Sequence, residues 1–232
     1  MKQMQLLVLL VIFMFVRFSY GQQKNDHTVT VHNETKISQG DVVIQTSNEA
    51  LNELKAGNLR FVGNQLINTD YKNQIELSKD GQKPHSLILT CMDSRVPPEI
   101  IFDQGIGNIF VTRVAGNIED ENMLGSMEYA VEHSGSKLIV VMGHSHCGAV
   151  TGAVQNAESG NLTQLLEQIK PAITDGSSDT DIINKTAINN VKMTIADILK
   201  KSKIINELSE ENKIILIGAF YDIETGVVTF ME

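Results

Sequence analysis

Residues 86–95 read Ser-Leu-Ile-Leu-Thr-Cys-Met-Asp-Ser-Arg, and residues 137–148 read Lys-Leu-Ile-Val-Val-Met-Gly-His-Ser-His-Cys-Gly. Each opens as a short apolar run and ends in side chains able to bind a metal or move a proton. Runs of this length, closed by polar or turn-forming residues, suit strands buried on both faces of a parallel sheet. Two further runs follow the pattern: Ile109-Phe-Val-Thr-Arg-Val114 and Lys213-Ile-Ile-Leu-Ile-Gly218. Helical periodicity falls between the strands. Glu121–His133 places Met123, Leu124, Met127, Tyr129, Ala130 and Val131 at its apolar positions, and Asn161–Ile169 and Ile188–Ile205 read as amphipathic helices. Strands alternating with helices predict an α/β fold with a mainly parallel central β-sheet flanked by helices. The segment from Tyr221 to Phe230 is expected to turn at Thr225-Gly226 and finish as a short strand.

Upstream of the first strand, Ser47 reads as the N-cap of a helix over 48–62, with Leu51, Leu54, Leu59 and Phe61 on its apolar face. This helix gives the fold an N-terminal helical arm. Gly57 and Asn58 are poor helix formers and blur its end. Residues 63–83 are polar and predict a loop with a short helix. Pro97 and Pro98 terminate whatever follows Cys91, and Asp175-Gly-Ser-Ser-Asp179 is a loop.

The first residues are a different material. Lys2 precedes an unbroken apolar run from Leu6 to Phe15, followed by Arg17 and Ser19-Tyr20-Gly21. That layout predicts a secretory signal peptide over 1–21, cut before Gln22, and a run too short to remain as a membrane anchor. Residues 22–45 read as a polar leader, flexible or packed on a partner subunit, and 46–232 as one folded domain. Export across an inner membrane predicts a periplasmic protein in a Gram-negative host. The net charge of −9, with no basic patch interleaved with aromatics, excludes a nucleic-acid partner.

The chain has two cysteines, Cys91 and Cys147. In an exported protein the plain expectation for two cysteines is one disulfide. The surrounding residues point elsewhere. His144 lies three residues before Cys147, and His-x-x-Cys lets both side chains of a tight turn reach one ion. With Cys91 from another strand end, the set becomes two thiolates and one imidazole. Three protein ligands leave a tetrahedral zinc one open position, the arrangement of catalytic sites. Water bound there ionises near pH 7. Asp93 and Arg95 sit two apart beside the first cysteine. As a surface ion pair they would contribute little. As a functional pair, Arg95 keeps Asp93 ionised and off the metal, where it orients the metal's water.

Cys91-x-Asp93-x-Arg95 followed by His144-x-x-Cys147-Gly148 resembles the β-carbonic anhydrase family. The resemblance extends from about Leu51 to the end. It includes Cys91-Met-Asp-Ser-Arg-Val-Pro-Pro98, Asp103-Gln-Gly105, Arg113-Val-Ala-Gly-Asn117, Met142-Gly-His-Ser-His-Cys-Gly-Ala149 and Tyr221-Asp-Ile-Glu-Thr-Gly226. It implies one Zn2+ per chain on Cys91, His144 and Cys147, an Asp93–Arg95 catalytic dyad, and attack of zinc-bound hydroxide on CO2 to give bicarbonate. The plant-type members of the family keep pocket residues that match Gln82, Phe110 and Tyr129. By this likeness Gln82 hydrogen-bonds substrate, and Phe110 and Tyr129 line the apolar wall. From periodicity alone these two aromatics read as core. In the family all three of these residues come from the neighbouring subunit, which implies a homodimer or higher oligomer. The Gly148 N–H would bind a bicarbonate oxygen. His146, His85 and His133 are candidates for the proton shuttle. The competing expectations are hydrolysis of carbonyl sulfide or carbon disulfide on the same site, and a non-catalytic module stapled by a disulfide or by zinc.

Overall fold

The computed structural model describes residues 44–174 and 181–231. The expected signal peptide, nearly all of the leader and the loop over 175–179 lie outside the described residues. In chain order the elements are α1 (Ser47–Val62), α2 (Tyr71–Ser78), β1 (Ser86–Thr90), α3 (Pro98–Ile101), β2 (Ile109–Arg113), α4 (Glu121–Glu128), β3 (Leu138–His144), α5 (Gly148–Val154), α6 (Gly160–Ile169), α7 (Ile182–Lys201), α8 (Lys203–Glu210), β4 (Ile215–Tyr221) and β5 (Val228–Phe230). The five strands form one sheet in the order β2-β1-β3-β4-β5. All pairings are parallel except β4 with β5. The expected α/β fold with a mainly parallel sheet is therefore what forms.

The two central strands are wholly buried because helices cover both faces. Their side chains alternate. Leu138, Val140 and Met142 of β3, with Ile88 of β1, face a core completed by Ala50 and Leu54 of α1 and Ile101 of α3. Ile139 and Val141, with Leu87 and Leu89, face Met127 of α4 and Val191 and Ile198 of α7. The period of two splits each strand between two cores, which is why β1 and β3 read as continuous apolar runs.

Several element boundaries differ from the sequence reading. Thr46, not Ser47, caps α1: its hydroxyl accepts from Glu49 N while the Glu49 carboxylate accepts from Thr46 N, a reciprocal capping box. The helix runs through Gly57 and Asn58 without a break. A Cβ on Gly57 would stand 1.8 Å from the Phe102 carbonyl oxygen, so glycine permits the close approach of α1 to α3. Asn58 is buried and binds Ile101 O, Gly226 O and Val228 N. The helix expected over 121–133 is α-helical only to Glu128 and widens to a π-turn over Tyr129–His133. The helix expected over 188–205 starts earlier and breaks at Ser202, whose hydroxyl caps α8 through Ile205 N. Pro98 opens the four-residue α3, its missing N–H being an orphan at that position in any case. The helix α5, directly after Cys147, is not among the elements the sequence predicts.

Candidate active site

Strand order creates the site. From β1 the chain passes to β2 on one side, while β3 lies on the other. Where connections diverge in this way, a crevice opens at the carboxyl ends of the strands. Thr90 pairs with Met142, so Cys91 emerges from β1 beside Gly143 and His144. His144 is the last residue of β3. The chain then turns through His146, at φ 54°, and presents Cys147 just ahead of α5. Ser145 pins this turn to the end of β4: its N–H donates to Tyr221 O at 2.9 Å and its hydroxyl accepts from Ile223 N at 3.0 Å.

Cys91, His144 and Cys147 are all buried, and their donor atoms lie within 4.8 Å of one another. The two sulfurs stand 3.9 Å apart and both are free thiols. A disulfide would need about 2.05 Å. Two sulfurs on one tetrahedral zinc, each about 2.3 Å from it, stand about 3.8 Å apart. The imidazole points the same way. His144 Nδ1 donates to Ser145 O at 2.8 Å, which leaves Nε2 as the acceptor nitrogen. That Nε2 is buried without a hydrogen-bond partner among the described residues. An orphaned buried acceptor costs about 1–3 kcal/mol, a cost that a metal ion there would remove. The donor set, its spacing and the orphaned nitrogen all fit zinc.

The thiol pair shares a proton unequally. The contact between the two sulfurs pulls Cys91 ionisation below the ordinary thiol range against the opposing effect of burial. His144 and the Gly116 N–H, 3.4 Å from the sulfur, add to this. The same contact, with burial, holds Cys147 protonated. Metal binding must displace that remaining proton.

Asp93 lies at the edge of this cluster. Arg95 Nε donates to its Oδ1 at 2.9 Å and Arg95 Nη2 to its Oδ2 at 2.7 Å, a bidentate pair that the Arg95 backbone N–H reinforces at 2.9 Å. These bonds hold the carboxyl well below the usual carboxylate range. Its Oδ2 lies 4.0 Å from His144 Nε2. The sequence reading assigned Arg113 no role. Its side chain donates to Cys91 O and Asp93 O, clamping the backbone that carries both. The signal was a lone cation ending β2, level with Thr90.

Gln82, Phe110 and Tyr129 do not join this cluster within one chain. Phe110 pairs with Leu87, and Cys91 lies four residues further along the strand direction, about 13 Å away at about 3.3 Å per residue. Gln82 precedes β1 altogether and is exposed. Phe110 and Tyr129 do meet each other, ring centroids 6.3 Å apart, with Tyr129 54 % exposed. Tyr129 is therefore not the core residue that periodicity suggested, whereas Phe110 is partly buried and packs against the core of Leu87 and Met127. Gly148 begins α5 beside Cys147. Among the histidines, His146 is exposed with Nε2 3.1 Å from Glu224. His85 is buried at the far end of β1 from Cys91, which removes it as a shuttle for its own chain's site.

A family model for carbonic anhydrase matches residues 86–228. Carbonic anhydrase 2 of Mycobacterium tuberculosis is 36 % identical over 181 residues, covering 75 % of this chain and 87 % of that one. A carbonic anhydrase of Helicobacter pylori is 30 % identical over 191 residues, covering 73 % and 85 %. Among solved structures, a tetrameric β-carbonic anhydrase of Sordaria macrospora superposes with a TM-score of 0.62 at 27 % identity, covering 78 % of this chain and 96 % of that one. A Coccomyxa β-carbonic anhydrase gives 0.63 at 25 % identity, covering 75 % and 82 %. With the matched region holding every residue of the cluster and the dyad, the chain belongs to the β-class carbonic anhydrases.

Proposed function

We propose that the chain hydrates carbon dioxide reversibly to bicarbonate and a proton, using one zinc ion per chain held by Cys91, His144 and Cys147. The observation that carries this reading is the buried sulfur–sulfur–imidazole triangle with an orphaned His144 Nε2 beside an arginine-held carboxylate. Zinc in that triangle supplies the Lewis acidity that makes hydroxide available near neutral pH. The protein's own groups do the rest. Asp93 accepts a hydrogen bond from the nucleophilic water and turns its lone pair toward the substrate. Arg95 keeps Asp93 ionised and occupied, so the carboxylate does not take the position the water needs. Ile118, Val150, Ile169 and the partly buried Phe220 surround the ligands with apolar surface, which suits a small, weakly polar substrate. The Gly148 N–H is the donor assigned to a bicarbonate oxygen.

Gln82, Phe110 and Tyr129 complete the pocket from a second subunit in this reading. Its support is the separation of these residues from their own chain's ligands, together with surface character. β2 is an edge strand. A groove of about 270 Å³ beside it is lined by Leu66, Tyr71, Ile100, Ile106 and Ile109 together with the polar Asn68, Glu99, Asp103 and Gln104, and Leu59, Ile67, Ile75 and Leu77 are exposed. Apolar surface of this extent marks an association face. No helix among the described residues is long and apolar enough to cross a membrane. Export to the periplasm rests on residues 1–21 and is tested by N-terminal sequencing of the mature protein, which should begin near Gln22.

The deciding measurement is stopped-flow hydration of carbon dioxide by the zinc-loaded chain and its Asp93→Asn variant. The variant should lose about 100-fold or more in kcat while retaining zinc. Equal rates would overturn the role of Asp93, and faster turnover of carbonyl sulfide than of carbon dioxide would overturn the substrate.

A further inference from the structure

The core-facing stripe of α7 carries Asn190 and Thr194 between Ala187, Val191 and Ile198, and all five are buried. An asparagine with no solvent exposure is out of place there, and its Oδ1 has no hydrogen-bond partner among the described residues. The bond it does make is specific. Asn190 Nδ2 donates to Gly116 O at 2.7 Å. One turn on, the Thr194 hydroxyl donates to Asn117 O at 3.4 Å. Gly116 and Asn117 are consecutive left-handed residues, at φ 72° and 45°. A Cβ on Gly116 would stand 2.4 Å from Ile169 Cδ1, so with its φ of 72° the position favours glycine. Left-handed residues in sequence persist only where their surroundings hold them. Here α7 holds both carbonyls, and the N–H of the same Gly116 donates to Cys91 Sγ at 3.4 Å.

We infer that Asn190, assisted by Thr194, is a positioning residue of the metal centre: it holds the strained Gly116-Asn117 turn so that the Gly116 N–H stays on the Cys91 sulfur. An N–H donor draws charge from a thiolate and fixes its direction, and partners of this kind govern how tightly and how asymmetrically a ligand binds its metal. The inference rests on the zinc reading above and extends it to a residue that touches neither metal nor substrate.

The test uses Asn190→Leu, which keeps the branched shape at a larger volume and loses both the donor and the unpartnered oxygen. Zinc affinity, measured by competition with a chelator, should fall about 10- to 100-fold. After reloading with Co2+, the sulfur-to-cobalt charge-transfer band should shift. The melting temperature of the metal-free variant should fall as well, because the buried Gly116 carbonyl loses its donor. A merely structural asparagine would move the melting temperature and leave affinity and band at parental values, and that result overturns the inference. Should Asn190→Leu fail to fold, Asn190→Ser, too short to reach Gly116 O, carries the same test. A parent chain that binds neither Zn2+ nor Co2+ overturns the metal reading itself. A parent that binds both, with the variant indistinguishable, overturns only the role of Asn190.

Discussion

His85 shows how a single residue's surroundings set its chemistry. Its Nε2 donates to Gln104 Oε1 at 3.0 Å and its Nδ1 accepts from the Ser86 hydroxyl at 2.7 Å, so both ring nitrogens are satisfied in the neutral form. Burial pushes its ionisation below the ordinary histidine value, partly opposed by the bond to Gln104. The sign of the consequence follows. Below about pH 6.5 the unfolded chain takes up a proton that the folded chain resists, so stability is full above that pH and falls as pH drops below it. The contribution is at most about 1.4 kcal/mol per pH unit. Denaturant midpoints measured between pH 7.5 and 5 should fall less steeply for His85→Asn than for the parent. Parallel curves would sink the assignment. Asp93 behaves in the opposite sense to a shuttle: held ionised by Arg95, it stays an acceptor across the range in which the enzyme works.

At the scale of elements, glycine and asparagine inside α1 carry the lesson. By helix propensity Gly57→Ala should gain about 1 kcal/mol. The contact with Phe102 O reverses that, because the obstacle is backbone and has no rotamer to change. Overpacking of this kind costs about 1–3 kcal/mol or more, so the substitution should lower the melting temperature despite the better helix former. A higher melting temperature would show that α1 can lift off α3. The π-turn at Tyr129–His133 is a second case. Tyr129 opens this turn and meets Phe110 with more than half of it exposed. At about 100° per residue Tyr129 lies about 160° round the helix from the buried Met127, so counting it among the core positions overlooked its place on the outer face.

For the whole molecule, the separation of Gln82 and Phe110 from their own ligands becomes a test of assembly. In a two-fold dimer that exchanges pocket residues, each site takes its metal ligands from one protomer and its Gln82 from the other. Asp93→Asn and Gln82→Ala protomers, each poorly active alone, then form one intact site in every mixed dimer. Refolding them together at equal amounts should recover about a quarter of parental activity, the share of intact sites in random two-fold pairing. No recovery above the two separate variants would overturn the shared pocket, since cis sites would each carry one lesion.

The amino-acid sequence determined the strands, the sheet's parallel character and the two ligand clusters. Buried parallel strands need unbroken apolar runs, and a zinc site needs particular donor atoms at spacings a turn can close. Both demands are local and leave marks within a few residues. What only the tertiary structure decided is non-local. It made β1 and β3 neighbours, so that residues 91 and 147, 56 apart in the chain, meet 3.9 Å apart at the sulfurs. It bent Gly116 into a conformation held by a helix 74 residues further on. It set Phe110 at the opposite end of the sheet from Cys91. Such relations depend on which surfaces bury each other, and no window of sequence contains both partners.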